Sequence, residues 1–184
     1  MSVVLNSIRH RFSDPSMLDD AIDHDQLMTI LEASFNANDH GRLKPWRYKV
    51  FKGNARQILA NAYVKHEQSV GDSQKITRAG QIPFRAPVVI TAIASPIAGT
   101  KIPRRDQVFS SVAACQLLTL AAWGAGLACI WRTGVYATSD IVKESLGINE
   151  TEEIVGFIYL GKRQSEQSKS RTTRAIQDHI EVYE

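Results

Sequence analysis

Trp123-Gly124-Ala125-Gly126-Leu127-Ala128-Cys129-Ile130-Trp131-Arg132-Thr133-Gly134 follows a long run of small and apolar residues, and its reading decides the fold. The glycines end a helix, a short apolar strand follows, and the strand finishes at a cation, a hydroxyl and a glycine. Such a strand end lets a flat apolar ring lie against backbone while an arginine neutralises an anionic group beside it. A cofactor enzyme is therefore the leading reading.

Upstream, Val108 to Leu127 is apolar but contains Ser110, Ser111, Gln116 and Thr119, which suits a buried helix better than a membrane span. A helix is expected from Asp106 to Trp123, and its Ala and Ser residues allow close approach by another helix, in a domain core or a subunit interface. The basic loop Pro96 to Arg105 is long enough to be functional. Val88 to Ala94, introduced by Arg85-Ala86-Pro87, is a β-branched run expected as a central strand buried on both faces. Trp46 to Phe51 alternates as a strand, Lys52-Gly53-Asn54 turns, and a helix burying Ile58, Leu59, Ala62 and Tyr63 should run to about Gly71.

At the N-terminus Val4, Leu5, Ile8 and Phe12 recur at helical spacing until Ser13-Asp14-Pro15-Ser16 stops them. Asp25 is the expected cap of a second helix with an apolar face of Leu27, Met28, Ile30 and Leu31. Downstream, Ser139 or Asp140 caps a helix through Leu146, with Gly147 as its stop, and Glu153 to Leu160 forms a strand ending at Gly161. Lys162 to Asp178 has little to bury, and Ile180 to Tyr183 is expected to add an edge strand.

A chain of 184 residues with 43% hydrophobic content can bury a core unaided, so one domain over residues 1–184 is expected. Its 22 basic and 19 acidic residues balance too closely for a general nucleic-acid or membrane surface, which leaves a small-molecule partner. Cys115 and Cys129 lie in apolar surroundings without ligand spacing and read as reduced core residues. That usage, with no continuous apolar signal segment at Met1 to Phe12, suits a cytoplasmic protein. No metal motif, GxGxxG or GxxxxGK[ST] occurs, which disfavours a Rossmann domain or a nucleotide triphosphatase. Carboxylate pairs such as Asp19/Asp20 and Glu152/Glu153 are explained by capping and solvation, not by glycoside hydrolysis. Three basic clusters could converge: Arg9 with Arg11, Arg42 with Lys44, and Arg132, the last suited to bidentate phosphate binding. His40 is a loop histidine open to a flavin contact, a proton-donor role or simple hydrogen bonding.

Leu5-x-x-Ile8-x-x-Arg11-Phe12-Ser13, Asn38-Asp39-His40-x-x-x-Lys44-Pro45-Trp46-Arg47, Pro83-Phe84-Arg85-Ala86-Pro87, Gly126 to Gly134 and Glu153 to Gly161, taken in order, resemble the nitroreductase family, nearest to its short bacterial branch. The resemblance implies an α+β fold with a mixed, mostly antiparallel sheet flanked by helices, and a homodimer with FMN at the subunit interface. It implies flavin contacts from Arg11, Phe12 and Ser13, from Asn36 and His40 reaching the partner's flavin, and from Trp131, Arg132 and Thr133. It further implies a nicotinamide-nucleotide contact at Ala121, Ala122, Trp123, Gly124, Ala125 and Gly126. Phe12 and Pro15 stand where the family often carries basic residues, the second near the flavin pyrimidine. Arg42 or Lys44 is expected to compensate.

The activity so implied is ping-pong transfer of hydride from NADH or NADPH through FMN to nitroaromatics, quinones or related acceptors, with no catalytic side chain beyond the cofactor. Competing readings are another reaction on the same scaffold, a flavin-binding redox sensor or store without efficient turnover, and a cofactor-free dimeric interaction module.

Overall fold

The computed structural model describes residues 2–71, 73–164 and 176–184. Its centre is the run of β-branched residues at Val88–Ala94 and the strand that pairs with it. The helices are α1 (Val3–His10), α2 (His24–Ser34), α3 (Arg56–Val70), α4 (Ser73–Gln81), α5 (Arg104–Gly124), α6 (Val135–Thr138) and α7 (Asp140–Ser145). The strands are β1 (Met17–Leu18), β2 (Trp46–Lys52), β3 (Val88–Ala94), β4 (Leu127–Arg132) and β5 (Glu153–Arg163).

Every ladder among the described residues is antiparallel: β2 with β3, β3 with β5, β4 with β5, and β1 with β5. Lys162 pairs with Leu127 of β4 and with Leu18 of β1, so those two strands flank β5 on opposite edges. All seven residues of β3 are buried, as its continuous apolar run requires. Val89 and Ile93 enter one core with Tyr63 of α3 and Val142 of α7, whereas Val88, Ile90 and Ala92 enter a second core with Ile30 of α2 and Leu118 of α5.

The register of β3 on β5 shifts between Ala92, opposite Gly156, and Ile93, opposite Ile154, leaving Val155 as the extra residue of a bulge. The bulge re-phases the strand. Ile154 before it and Phe157 and Tyr159 after it face the same core, whereas Ile158 and Leu160 face the other.

Helix α5 is long and apolar enough to span a membrane by composition, yet Ser111, Ala114, Cys115, Leu118 and Ala122 are buried, several of them in the second core. Both cysteines are free and buried, as expected, and burial pushes each thiol up to about 12.

Several expectations are corrected. Asp23, not Asp25, caps α2: its Oδ2 accepts from the amides of Asp25 and Gln26 at 3.0 and 3.1 Å. Asp25 is already in the first turn, where its charge meets the helix dipole. Met28 and Ile58 are exposed. Helix α4 was not anticipated, because little but Ile76, Ala79 and Gly80 turns inward from it. Residues 180–184 form no strand and are exposed; the two-residue edge partner of β5 is β1 instead. Lys162 and Arg163 of the polar tail belong to β5, and residues 165–175 lie outside the described residues.

Arg47 on β2 and Glu152, immediately before β5, clamp the sheet's ends across β3. Arg47 Nε and Nη2 donate to Glu152 Oε1 and Oε2, both at 2.6 Å, and the Asn149 amide donates to Oε2 at 2.9 Å. Donation from Arg47, against the opposing effect of burial, holds the Glu152 carboxyl down at about 2. A carboxyl depressed from 4.5 contributes stability that is fully present above the unfolded value and lost as pH falls through 4.5 toward 2. Glu152→Gln should therefore cost about 2–3 kcal/mol at neutral pH, and the difference from wild type should shrink below about pH 4. Urea unfolding across that range checks this; a pH-independent difference would remove the ion-pair account.

Candidate functional site

The β4 strand carries the residues flagged by sequence, and strand alternation separates them. Leu127, Cys129 and Trp131 turn toward α5, whereas Ile130 and Arg132 turn to the opposite face. The position of Trp131 depends on Gly156. A Cβ on Gly156 would lie 2.2 Å from Trp131 Nε1 and 2.7 Å from the Arg132 carbonyl oxygen, so only glycine lets the indole cross β5 there. Trp131 Nε1 donates to the Val155 carbonyl at the bulge, at 3.2 Å.

The segment from residue 11 to 17 straps this end of the sheet. The Asp14 amide donates to the Cys129 carbonyl at 3.0 Å, pinning the strap to the outer edge of β4. It then passes over Gly161, where an added Cβ would meet Met17 Cβ at 2.8 Å. Asp14 is buried, and its Oδ1 accepts from the Ser16 amide at 2.9 Å.

Arg11 and Ser13 of the strap, Gln116 and Thr119 of α5, and Trp131 with Thr133 surround a cavity of about 300 Å³. Of the eight residues expected at the cofactor, Arg11, Phe12, Ser13, Asn36, His40, Trp131, Arg132 and Thr133, the structure brings Arg11, Ser13, Trp131 and Thr133 to this cavity. Cys129 forms part of the wall, and its raised pKa, caused first by burial and opposed by Arg11, keeps the thiol neutral at physiological pH.

Arg132 lies on the far face of β4, over the ring of Tyr159 with its Cζ 5.8 Å from the centroid. It therefore does not share the Arg11 cavity. Phe12 is buried and packs edge-on against Trp123, with centroids 4.9 Å apart, so its ring serves the core.

Residues 121–126 form the end of α5 and its turn. Ala122 is fully enclosed, whereas Gly124, Ala125 and Gly126 are exposed. The Trp123 ring lies under the Arg163 guanidinium at 3.7 Å, and Arg163 Nη2 donates to the Trp123 carbonyl at 3.0 Å, answering the unpaired carbonyls of the helix end.

Asn36 and His40 are exposed. His40 Nδ1 stands 3.6 Å from Asp106 at the first turn of α5, ten residues before Gln116. At 1.5 Å rise per residue that places it about 15 Å along the helix from the Arg11 cavity. Its loop is strained: Arg42 and Lys44 have φ of 57° and 48°, uncommon for residues with a side chain. Asp39 helps hold it, its Oδ2 accepting from the Lys44 amide at 2.6 Å while Oδ1 is buried without a partner. Sequence reasoning missed Arg85, which lines a second cavity with Arg132. No local signal pairs it with Arg132, since Arg85 stands three residues before β3 and only the sheet brings the two together.

The model of the nitroreductase family matches residues 8–162. The chain is 34% identical over 167 residues to the Escherichia coli K12 protein named "Putative NAD(P)H nitroreductase YdjA", covering 90% of this chain and 91% of that one. A nitroreductase-like family protein from Bacillus cereus superposes with a TM-score of 0.90 at 22% identity, over 100% of this chain and 97% of that one. A Bacteroides fragilis nitroreductase with bound FMN gives 0.77 at 22% identity, over the whole of both chains.

Gly156→Ala tests the geometry at the β4 end. Overpacking Trp131 should cost about 1–3 kcal/mol and disturb the Trp131 environment, read as a lower urea midpoint and altered near-ultraviolet dichroism. An unchanged midpoint and spectrum would contradict the close approach.

Proposed function

Since the chain belongs to the nitroreductase family, we propose that it binds FMN at the end of β4. We further propose that it transfers hydride equivalents from NADH or NADPH to nitroaromatic, quinone or related acceptors in alternating half-reactions. FMN, when bound, supplies the redox chemistry, accepting hydride from the nicotinamide and passing electrons to the acceptor.

The observation that carries the reading is the cavity where Arg11 and Ser13 meet Trp131 and Thr133. Arg11 is half-buried and, among the described residues, has no carboxylate partner, so a phosphate is the natural counter-charge. Ser13 offers a hydroxyl beside it, and the side chains of Cys129 and Trp131 give an apolar wall that suits the flat side of a ring. The residues present thus fit a mononucleotide. Phe12 contributes through its backbone and by fixing Trp123, since its ring is committed to the core.

In this reading the nicotinamide-nucleotide contact narrows within residues 121–126 to the exposed backbone of Gly124, Ala125 and Gly126. Asn36 and His40 reach a flavin only across a dimer, because His40 stands at the far end of α5 from the Arg11 cavity. The exposed apolar face of α1, with Val3, Val4, Leu5 and Ile8, and the exposed Phe109 and Val112 of α5 support a homodimer. No side chain is assigned a covalent or essential proton-transfer role.

Arg11→Ala should weaken FMN binding about 10–100-fold, the worth of charge-assisted phosphate bonds, with partial recovery in Arg11→Lys. Quenching of FMN fluorescence on titration measures this, and an unchanged Kd would remove Arg11 from the site. Steady-state oxidation of NADH or NADPH with a quinone or nitroaromatic is the companion test. A flavoprotein that binds FMN but does not turn over would favour the sensor or store.

A further inference from the structure

Across β4 from the Arg11 cavity lies a second one, of about 360 Å³, which the flavin reading does not use. Pro15 and Met17 of the strap form one wall, Ile130 and Tyr159 form the floor, and two guanidiniums line it together. Arg85 enters from three residues before β3, and Arg132, expected at the flavin, turns here from the end of β4. The strap wall is pinned in place. The Asp14 amide holds it to the Cys129 carbonyl at 3.0 Å, and the Ser16 amide donates to Asp14 Oδ1 at 2.9 Å.

The other arginines around the sheet have found partners. Arg47 pairs with Glu152, Arg56 with Asp19 and Arg104 with Glu153, while Arg163 donates to the carbonyls of Leu127 and Trp123. Among the described residues neither Arg85 nor Arg132 makes an ion pair, and the strap's own carboxylate, Asp14, does not line the cavity. Arg132 Cζ stands 5.8 Å over the ring of Tyr159, which is 2% exposed. Burial pushes the Tyr159 hydroxyl up, and both Arg132 and Arg85 act in the opposite direction, so the two cations are felt at one buried group.

Two like charges sharing one small cavity repel each other, and a bound anion relieves that repulsion. Guanidiniums take the oxygens of a carboxylate or phosphate in pairs. A head group held there leaves Pro15, Met17 and Ile130 to receive an apolar body.

We propose that this cavity binds a small organic oxyanion, its carboxylate or phosphate head between Arg85 and Arg132 and its apolar body against Met17 and Ile130. The ligand is not the flavin, whose phosphate falls to Arg11 on the other face of β4. In that reading the strand also separates it from the ring, so it is not the hydride acceptor. The site stands on its own residues, and it and the FMN reading fail independently.

Calorimetric titration of the FMN-loaded protein with benzoate, phenyl phosphate and inorganic phosphate tests this. At least one aromatic probe should bind at one site per chain with FMN retained, and the tighter of the two identifies the head group. Inorganic phosphate should bind more weakly for want of an apolar body. Arg85→Gln should weaken the aromatic probe about 10–100-fold, the worth of charge-assisted hydrogen bonds, with partial recovery in Arg85→Lys. Arg132→Gln should act in the same direction, whereas Arg11→Ala should keep the probe affinity. Arg85 is exposed and makes no hydrogen bond among the described residues, so its replacement should leave the melt of the probe-free protein unchanged.

Failure of both aromatic probes to bind would overturn the proposal, as would wild-type probe affinity in both glutamine variants. Inorganic phosphate binding as tightly as phenyl phosphate would overturn it too, and so would displacement of the probe by NADH or NADPH, which would put the probe on the flavin. A protein that takes up no FMN but binds a probe through Arg85 would lose the functional reading and keep this site.

Discussion

The structure depends on β5 having both edges occupied. It holds β3 on one edge and β4 on the other, with β1 pairing its last residues on the edge that β3 leaves, and it must still let an indole and a crossing strap approach its backbone. Two glycines meet that demand. Gly156 admits Trp131 and Gly161 admits Met17, while the bulge between them and β3 turns Phe157 and Tyr159 into one core and Ile158 and Leu160 into the other. Were β5 regular and fully substituted, β4 could not end as it does and the strap could not cross.

From that constraint the site follows. β4 lies at the sheet margin, held along its outer side by the strap at Cys129. Past that point its residues alternate between two cavities, one carrying Arg11 and Ser13, the other Arg85 and Arg132. A rigid strand end beside the Arg11 cavity suits a cofactor whose phosphate is held there while its ring lies against Cys129 and Trp131. Rigid support matters there because a charge placed near a flavin acts through its fixed position.

The sequence was most legible where one local signal dominated. The β-branched run of β3 and the small, apolar α5 had no competing pattern, and both stand close to where periodicity put them. The meeting of Arg11, Ser13, Trp131 and Thr133 came through resemblance, since no local signal brings residue 13 beside residue 131. Helix α4 escaped because its hydrophilic sequence shows little inward face. Ile180 to Tyr183 has strand-forming side chains, but a strand needs a partner, and β1 already fills the short free edge of β5. The separation of Trp131 from Arg132 was available all along, since neighbours on one strand face opposite ways. The partner on that second face, Arg85, was not, because the two arginines are 47 positions apart in the chain and only the sheet brings them together.

The visible absorption spectrum of the freshly purified protein, recorded before and after anaerobic addition of NADH and of NADPH, tests the central claim most directly. The account expects a protein-bound flavin spectrum that bleaches on mixing with at least one of the two nucleotides. A colourless protein that leaves the spectrum of added FMN unchanged would contradict it, because the β4 end would then be cationic and apolar without being a flavin site.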